Sequence, residues 1–135
     1  MSLRQVLSSA AVVLGLLFTG PVYSALAALD WPAYTSDAFA TAQADGKTIV
    51  IVVHANWCTT CRAQEPALRK VVLLPEYKDY LLFRVDYDTQ KDAMAELDAP
   101  QRSTILIFKG KEEVSRVFAV NDFEVIRDLF SFGLN

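Results

Sequence analysis

The sequence of 135 residues is poor in the residues that build metal and disulfide sites: it has one histidine, His54, and two cysteines, Cys58 and Cys61. A lone histidine cannot by itself complete a four-ligand metal site, and two cysteines allow at most one internal disulfide, so a disulfide scaffold is excluded. Positive charge is also scarce. Thirteen Lys and Arg stand against sixteen Asp and Glu, a formal net charge of -3, without the basic patch or stripe of a nucleic-acid binder. There is no Gly-x-Ser-x-Gly elbow, so Ser103, His54 and an aspartate do not read as a hydrolase triad. Internal repeats, low-complexity tracts and inter-domain linkers are absent from the sequence as well. What is abundant is apolar: 53% of residues are hydrophobic, too many for a disordered chain, and the length is that of one domain.

The apolar excess begins at the first residues. Met1-Ser2-Leu3-Arg4 is short and positively charged, Val6 to Phe18 is nearly all apolar, Gly20-Pro21 breaks the run, and Ser24-Ala25-Leu26-Ala27 supplies small residues. This is the layout of a signal peptide. The apolar run is about 13 residues, against the roughly 20 that cross a bilayer as a helix, so a retained membrane anchor is the weaker reading. Cleavage is expected after Ala27, leaving 28–135 as a small, acidic, exported domain in the periplasm or an equivalent compartment. No cysteine precedes Cys58, so nothing near the cut could carry a lipoprotein lipid.

Periodicity in the exported part predicts an α/β order of helix, strand, helix, strand, helix, strand, strand, helix. Ser36 can cap a first helix running to Ala44, with Gly46 placed to end it. Thr48 to Val53 is a β-branched run without a polar break, which reads as a central, parallel strand buried on both faces. Leu81 to Val85 and Ile105 to Phe108 are two more such runs, separated by a helical segment from near the potential cap Asp88 to before Pro100. After the Lys109-Gly110-Lys111-Glu112 turn, Val114 to Phe118 alternates like a strand covered on one face. Asn121 or Asp122 can cap a last helix whose Phe123, Ile126, Leu129 and Phe130 share one stripe.

Chemistry is concentrated in His54-Ala55-Asn56-Trp57-Cys58-Thr59-Thr60-Cys61, where a buried strand ends and a helix begins. Two residues between cysteines at a helix start let the sulfurs approach bonding distance. The first sulfur then faces unpaired backbone N–H groups and the positive end of the helix dipole, which stabilises its thiolate. A lowered pKa makes the first cysteine a nucleophile at neutral pH and a good leaving group, as thiol–disulfide exchange requires. A purely structural disulfide is the competing reading, weakened because so short a ring removes little unfolded-chain entropy.

From about Trp31 onward the sequence resembles the thioredoxin family. The resemblance rests on Trp57-Cys58-Thr59-Thr60-Cys61, on Pro66, on Val85-Asp86-Tyr87-Asp88 and on Thr104-Ile105-Leu106-Ile107-Phe108-Lys109. It implies a thioredoxin-like α/β fold with a central mixed sheet flanked by helices on both faces, Cys58 as the attacking cysteine and Cys61 as the resolving one. Cys58 is expected to be the accessible, acidic thiol and Cys61 the shielded one. Where the family places a buried proton-accepting aspartate, six residues before the first cysteine, this chain has Val52. His54 is a candidate proton carrier in its stead, with simple packing at the strand end as the alternative. Where the family has a cis-proline facing the cysteines and pairing with substrate, this chain has Ser103, preceded by Arg102. A cis bond before serine would cost about 3 to 4 kcal/mol, so a trans bond and a differently shaped substrate loop are expected. The Ser103 hydroxyl could reach the Cys58 sulfur, but loop shape is expected to weigh more. Trp57, Arg102 and Ser103 are the candidate substrate-binding residues. Pro66 is expected to kink the active-site helix.

These readings converge on a protein disulfide oxidoreductase working as a monomer through a redox-active Cys58–Cys61 disulfide, with no metal and no other cofactor. Its expected partners are protein thiols and disulfides, with a membrane thiol reductase supplying electrons. An exported oxidase or isomerase, a Cu(I) module using Cys58, Cys61 and His54, and a binding module whose cysteines no longer turn over are the alternatives.

Overall fold

The computed structural model describes residues 31–135, so the reading of residues 1–27 as a signal peptide lies outside the described residues. The elements are α1 (Ser36–Ala44), β1 (Thr48–His54), α2 (Thr59–Val72), a 3-10 turn (Pro75–Tyr77), β2 (Leu81–Asp86), α3 (Lys91–Glu96), β3 (Thr104–Lys109), β4 (Glu112–Phe118) and α4 (Phe123–Ser131). The expected order holds, with the 3-10 turn added. The four strands form one mixed sheet in the order β2-β1-β3-β4. β1 is central, as its unbroken apolar run requires, but it is parallel only to β2 and runs antiparallel to β3.

Alternation along β1 divides the core in two. Ile49, Ile51 and Val53 face one layer, with Phe39, Phe83, Met94, Leu106 and Phe108, beneath α1 and α3. Val50 and Val52 face the other, with Leu68, Val71, Ile105, Ile107, Ile126 and Phe130, beneath α2 and α4. Opposed pairs such as Ile51 with Leu106 and Val52 with Ile105 keep the two strands in step, so both sheet faces are covered and β1 excludes water. In contrast, β2 is an edge strand, and the expectation that it is buried on both faces is corrected: Leu81 is 38% exposed.

Local chemistry settles the helix ends. Thr35, one residue before the expected Ser36, caps α1 by accepting from the Ala38 N–H, and the Ser36 hydroxyl donates to Glu96. Gly46 follows α1 with a φ of +65, a left-handed turn that suits glycine. Asp88 does not cap α3, which starts at Lys91. The carboxylate of Asp86 instead accepts from the N–H groups of Asp88 and Thr89 and from the Thr89 hydroxyl, folding the exit of β2 into a turn and holding its own pKa below the usual value. Asp122 caps α4 through the Val125 N–H. On the α4 stripe Ile126, Leu129 and Phe130 are buried, while Phe123 is half-buried.

Phe130 is fully buried between two tyrosines, 5.4 Å from the Tyr77 ring and stacked on Tyr80, whose hydroxyl donates to the Phe130 carbonyl. Phe130→Ala removes that ring from a site that cannot readily collapse. It is expected to lower stability by about 3 to 5 kcal/mol in a urea unfolding curve. A loss near zero would show that α4 is not a structural member of the core.

Candidate functional site

The site forms where β1 leaves the sheet. Beyond His54 the chain passes through Ala55, Asn56 and Trp57, and Cys58 occupies the N-cap of α2 in an extended conformation. Its N–H donates to the Ala55 carbonyl, its carbonyl accepts from Arg62 N–H, and its sulfur accepts from the Cys61 N–H at 3.1 Å. The sulfur thus takes the place a serine or aspartate oxygen fills at other helix starts, satisfying an otherwise free N–H. Cys61 lies inside the first turn of α2, and both cysteines are thiols.

Ser103 stands opposite. The Arg102–Ser103 bond is trans, as expected, since there is no cis peptide bond among the described residues. Its φ is +60, a left-handed conformation uncommon for a residue with a Cβ. Three hydrogen bonds hold it there: its N–H donates to the Val53 carbonyl at 2.7 Å, and its carbonyl accepts from the Ala119 N–H at 3.0 Å and the Gln64 side-chain amide at 3.3 Å. The hydroxyl then lies 3.4 Å from the Cys58 sulfur and 3.0 Å from that of Cys61. Loop shape and hydroxyl contact therefore do not compete. The shape delivers the hydroxyl, and to both sulfurs rather than to one.

Gln64 is a member of the site that the sequence reading overlooked. It is fully buried, and its amide also donates to the Val120 carbonyl at 2.7 Å, joining α2 to the exit of β4. The available signal was position: Gln64 falls with Cys61, Leu68 and Val71 on the buried stripe of α2, where a polar side chain needs a partner.

Exposure does not distinguish the two thiols. Each is 2% exposed, which corrects the expectation of an open Cys58; Ala55 and the Tyr87 ring pack around the pair, and Ser103 covers it from the facing loop. Acidity does distinguish them. Burial works against the Cys58 thiolate, but hydrogen bonds from the Cys61 thiol, the Ser103 hydroxyl, the Cys61 N–H and Arg102 outweigh it, and the pKa falls to about 7. Burial, followed by the hydrogen bond given to Cys58, pushes the Cys61 thiol up. One sulfur is poised to ionise while its neighbour keeps its proton, the arrangement needed for nucleophilic attack on a disulfide followed by resolution.

The thioredoxin family profile matches residues 31–131. The chain belongs to that family. Over 86 residues it is 31% identical to thioredoxin H2-2 of Oryza sativa subsp. japonica, a match covering 64% of this chain and 63% of that one. The match to thioredoxin H5 of the same plant, 30% identical, covers 56% of this chain and 55% of that relative, so the chain spans less than two thirds of either. Among solved structures, Trxlp from Edwardsiella tarda EIB202 is similar at a TM-score of 0.70 and 31% identity, with 73% of this chain and 96% of that one covered.

The remaining candidates separate into two groups. Trp57 and Arg102 belong to the mouth of the site. Trp57 is 55% exposed; its indole N–H donates to Asp88 at 2.9 Å, its ring meets the edge of Tyr87, and the Arg102 guanidinium lies 5.0 Å over it. A shallow cleft beside them is lined by Thr60, Tyr87, Pro100, Ser103 and Phe118, next to the cysteine pair. His54 belongs elsewhere. Its Nδ1 is 3.9 Å from the Glu65 carboxylate, which also accepts from Arg69 and Arg84. Burial and the Arg84 charge lower its pKa, and no hydrogen bond joins it to either sulfur among the described residues. Val52 is buried against the α2 and α4 layer, so that position offers no titratable group.

Thiolate supply governs alkylation of the reduced protein. Cys58 should label first, its rate rising with pH through about 7 and then levelling, while Cys61 labels slowly and only at higher pH. Peptide mapping after a timed iodoacetamide pulse reads this directly, and labelling of Cys61 ahead of Cys58 would reverse the roles.

Proposed function

We propose that this chain is a thiol–disulfide oxidoreductase that reduces protein disulfides in an exported compartment, receiving electrons from a membrane thiol reductase. The observation that carries the reading is the unequal pair at the start of α2, an acidic Cys58 as its N-cap and a proton-retaining Cys61 one turn in. Cys58 thiolate attacks a substrate disulfide and releases one substrate thiolate. Cys61 then attacks the Cys58 sulfur of the mixed disulfide, releases the second substrate sulfur and closes the Cys58–Cys61 disulfide. A donor dithiol restores the starting state.

Reduction is favoured over oxidation by the degree of thiolate stabilisation. A strong oxidant in this chemistry stabilises its reduced form until the attacking thiol has a pKa of about 3.5, whereas Cys58 sits at about 7. Trp57, Arg102 and Ser103, grouped around the cleft, are proposed to meet the substrate backbone and side chains. Export rests on the charged start, the short apolar run from Val6 to Phe18 and the small residues before Ala28.

Insulin reduction with a small dithiol as electron source tests the activity. Wild type should accelerate it and Cys58→Ser should abolish the acceleration. Cys61→Ser should instead accumulate mixed disulfides through Cys58. Stoichiometric Cu(I) retained through gel filtration with no acceleration of insulin reduction would replace this reading with a metal-binding one. N-terminal sequencing of the exported form should begin at Ala28; full-length chain in the membrane fraction would overturn the proposed compartment and leave the chemistry intact.

A further inference from the structure

Exchange through two buried thiols has a proton problem. Cys61 must lose its proton as it attacks, and the sulfur that leaves Cys58 must gain one, in a space where neither cysteine is more than 2% exposed. The buried carboxylate that would ordinarily be sought for this is replaced by Val52. His54 is turned to Glu65, whose carboxylate is itself occupied by Arg69 and Arg84. The Gln64 amide is committed to two carbonyls, and the Thr104 hydroxyl donates to the Gln101 carbonyl. Arg102, whose guanidinium lies over the Trp57 ring, is a cation with no acceptor, and Tyr87 packs against the pair.

One proton-carrying oxygen touches both sulfurs. Ser103 Oγ is 3.0 Å from Cys61 and 3.4 Å from Cys58, and a hydroxyl can donate one hydrogen bond while accepting two. An ionised Cys58 can only accept, so the serine proton turns to it. Once Cys58 is bonded to substrate it no longer draws the Cys61 proton, and the Oγ lone pairs are free to accept from the Cys61 thiol. The resulting chain runs from Cys61 through Ser103 to the Cys58–substrate bond that is about to break. Its middle member is fixed by the three hydrogen bonds described above, two to backbone groups and one from the Gln64 amide, so the hydroxyl needs no search to find its partners.

We propose that Ser103 is a catalytic residue, the proton relay of the resolution step. As the Cys61 sulfur bonds to the Cys58 sulfur, the Cys61 proton passes to Ser103 Oγ and the Ser103 hydroxyl proton passes to the substrate sulfur. The electron pair of the broken Cys58–substrate bond stays with that sulfur, which departs as a thiol. The two cysteines are oxidised, the substrate disulfide is reduced, and serine ends as it began, with one proton. This role rests on the oxidoreductase reading and assigns its proton path.

The test uses Ser103→Gly, which removes the hydroxyl at a φ glycine adopts freely, with Ser103→Ala as a second variant. Rapid mixing of the reduced protein with a peptide disulfide, followed by acid quench and mass analysis, separates mixed-disulfide formation from its resolution. In both variants the ratio of resolution to attack should fall at least about tenfold near neutral pH, the scale of a lost proton-transfer group. The deficit should shrink as the pH is raised, because hydroxide then takes the Cys61 proton without help. An unchanged ratio, or an equal slowing of both steps at every pH, would overturn the relay while leaving the oxidoreductase intact. Absence of any exchange in wild type would remove the oxidoreductase reading and the relay with it.

Discussion

The site depends on a strand that water does not reach. From Ile49 to His54 every residue of β1 is buried, paired on one side with β2 and on the other with β3. Its last backbone groups cannot be left unpaired in such surroundings without a large penalty. They are used to anchor the site instead: Val53 carbonyl accepts from Ser103, and His54 carbonyl accepts from Tyr87. The cysteine loop leaves β1 between these two anchors. The loop bearing the hydroxyl and the ring packed against the sulfurs are thereby referred to the same rigid strand end, which is how side chains from distant parts of the sequence keep contacts of about 3 Å.

With no carboxylate or imidazole touching the sulfurs among the described residues, Cys58 is made acidic by hydrogen bonds and one guanidinium. Burial alone would raise its pKa; four donors, one a backbone N–H at the helix start, carry it below the ordinary thiol value. The same burial, without enough compensation, keeps the proton on Cys61. The asymmetry between two cysteines three residues apart therefore comes from their positions on α2. An N-cap sulfur receives a backbone hydrogen bond from the helix, whereas the sulfur one turn further in meets the Ser103 hydroxyl and is kept protonated chiefly by burial.

Much of this was legible from residue pattern. The unbroken run of Thr48 to Val53 placed the central strand, the Cys-x-x-Cys at its exit placed the nucleophile, and the stripe of Ile126, Leu129 and Phe130 placed α4 on the core. The failures have physical causes. Leu81 to Val85 looks as apolar as the central runs, but edge position is a property of topology and cannot be read from one strand. Cys58 was expected to be open because it precedes the helix, yet the loop that covers it comes from more than forty residues away. Gln64 went unnoticed since a glutamine on a helix is ordinarily solvated, and only the arrival of the Ser103 and Val120 carbonyls makes it a buried clamp.

Ser103 shows most clearly where this chain departs from the pattern the family resemblance implies. Proline holds φ near -65 and has no N–H, whereas this position has φ +60 and spends its N–H on a 2.7 Å bond to β1. The two residues therefore define different loops, and the serine is not a proline with a hydroxyl added. Once the N–H closes on Val53, the left-handed turn aims the side chain at the cysteines. The hydroxyl at this position touches both cysteine sulfurs, while Arg102 and Trp57 stand together at the mouth of the site.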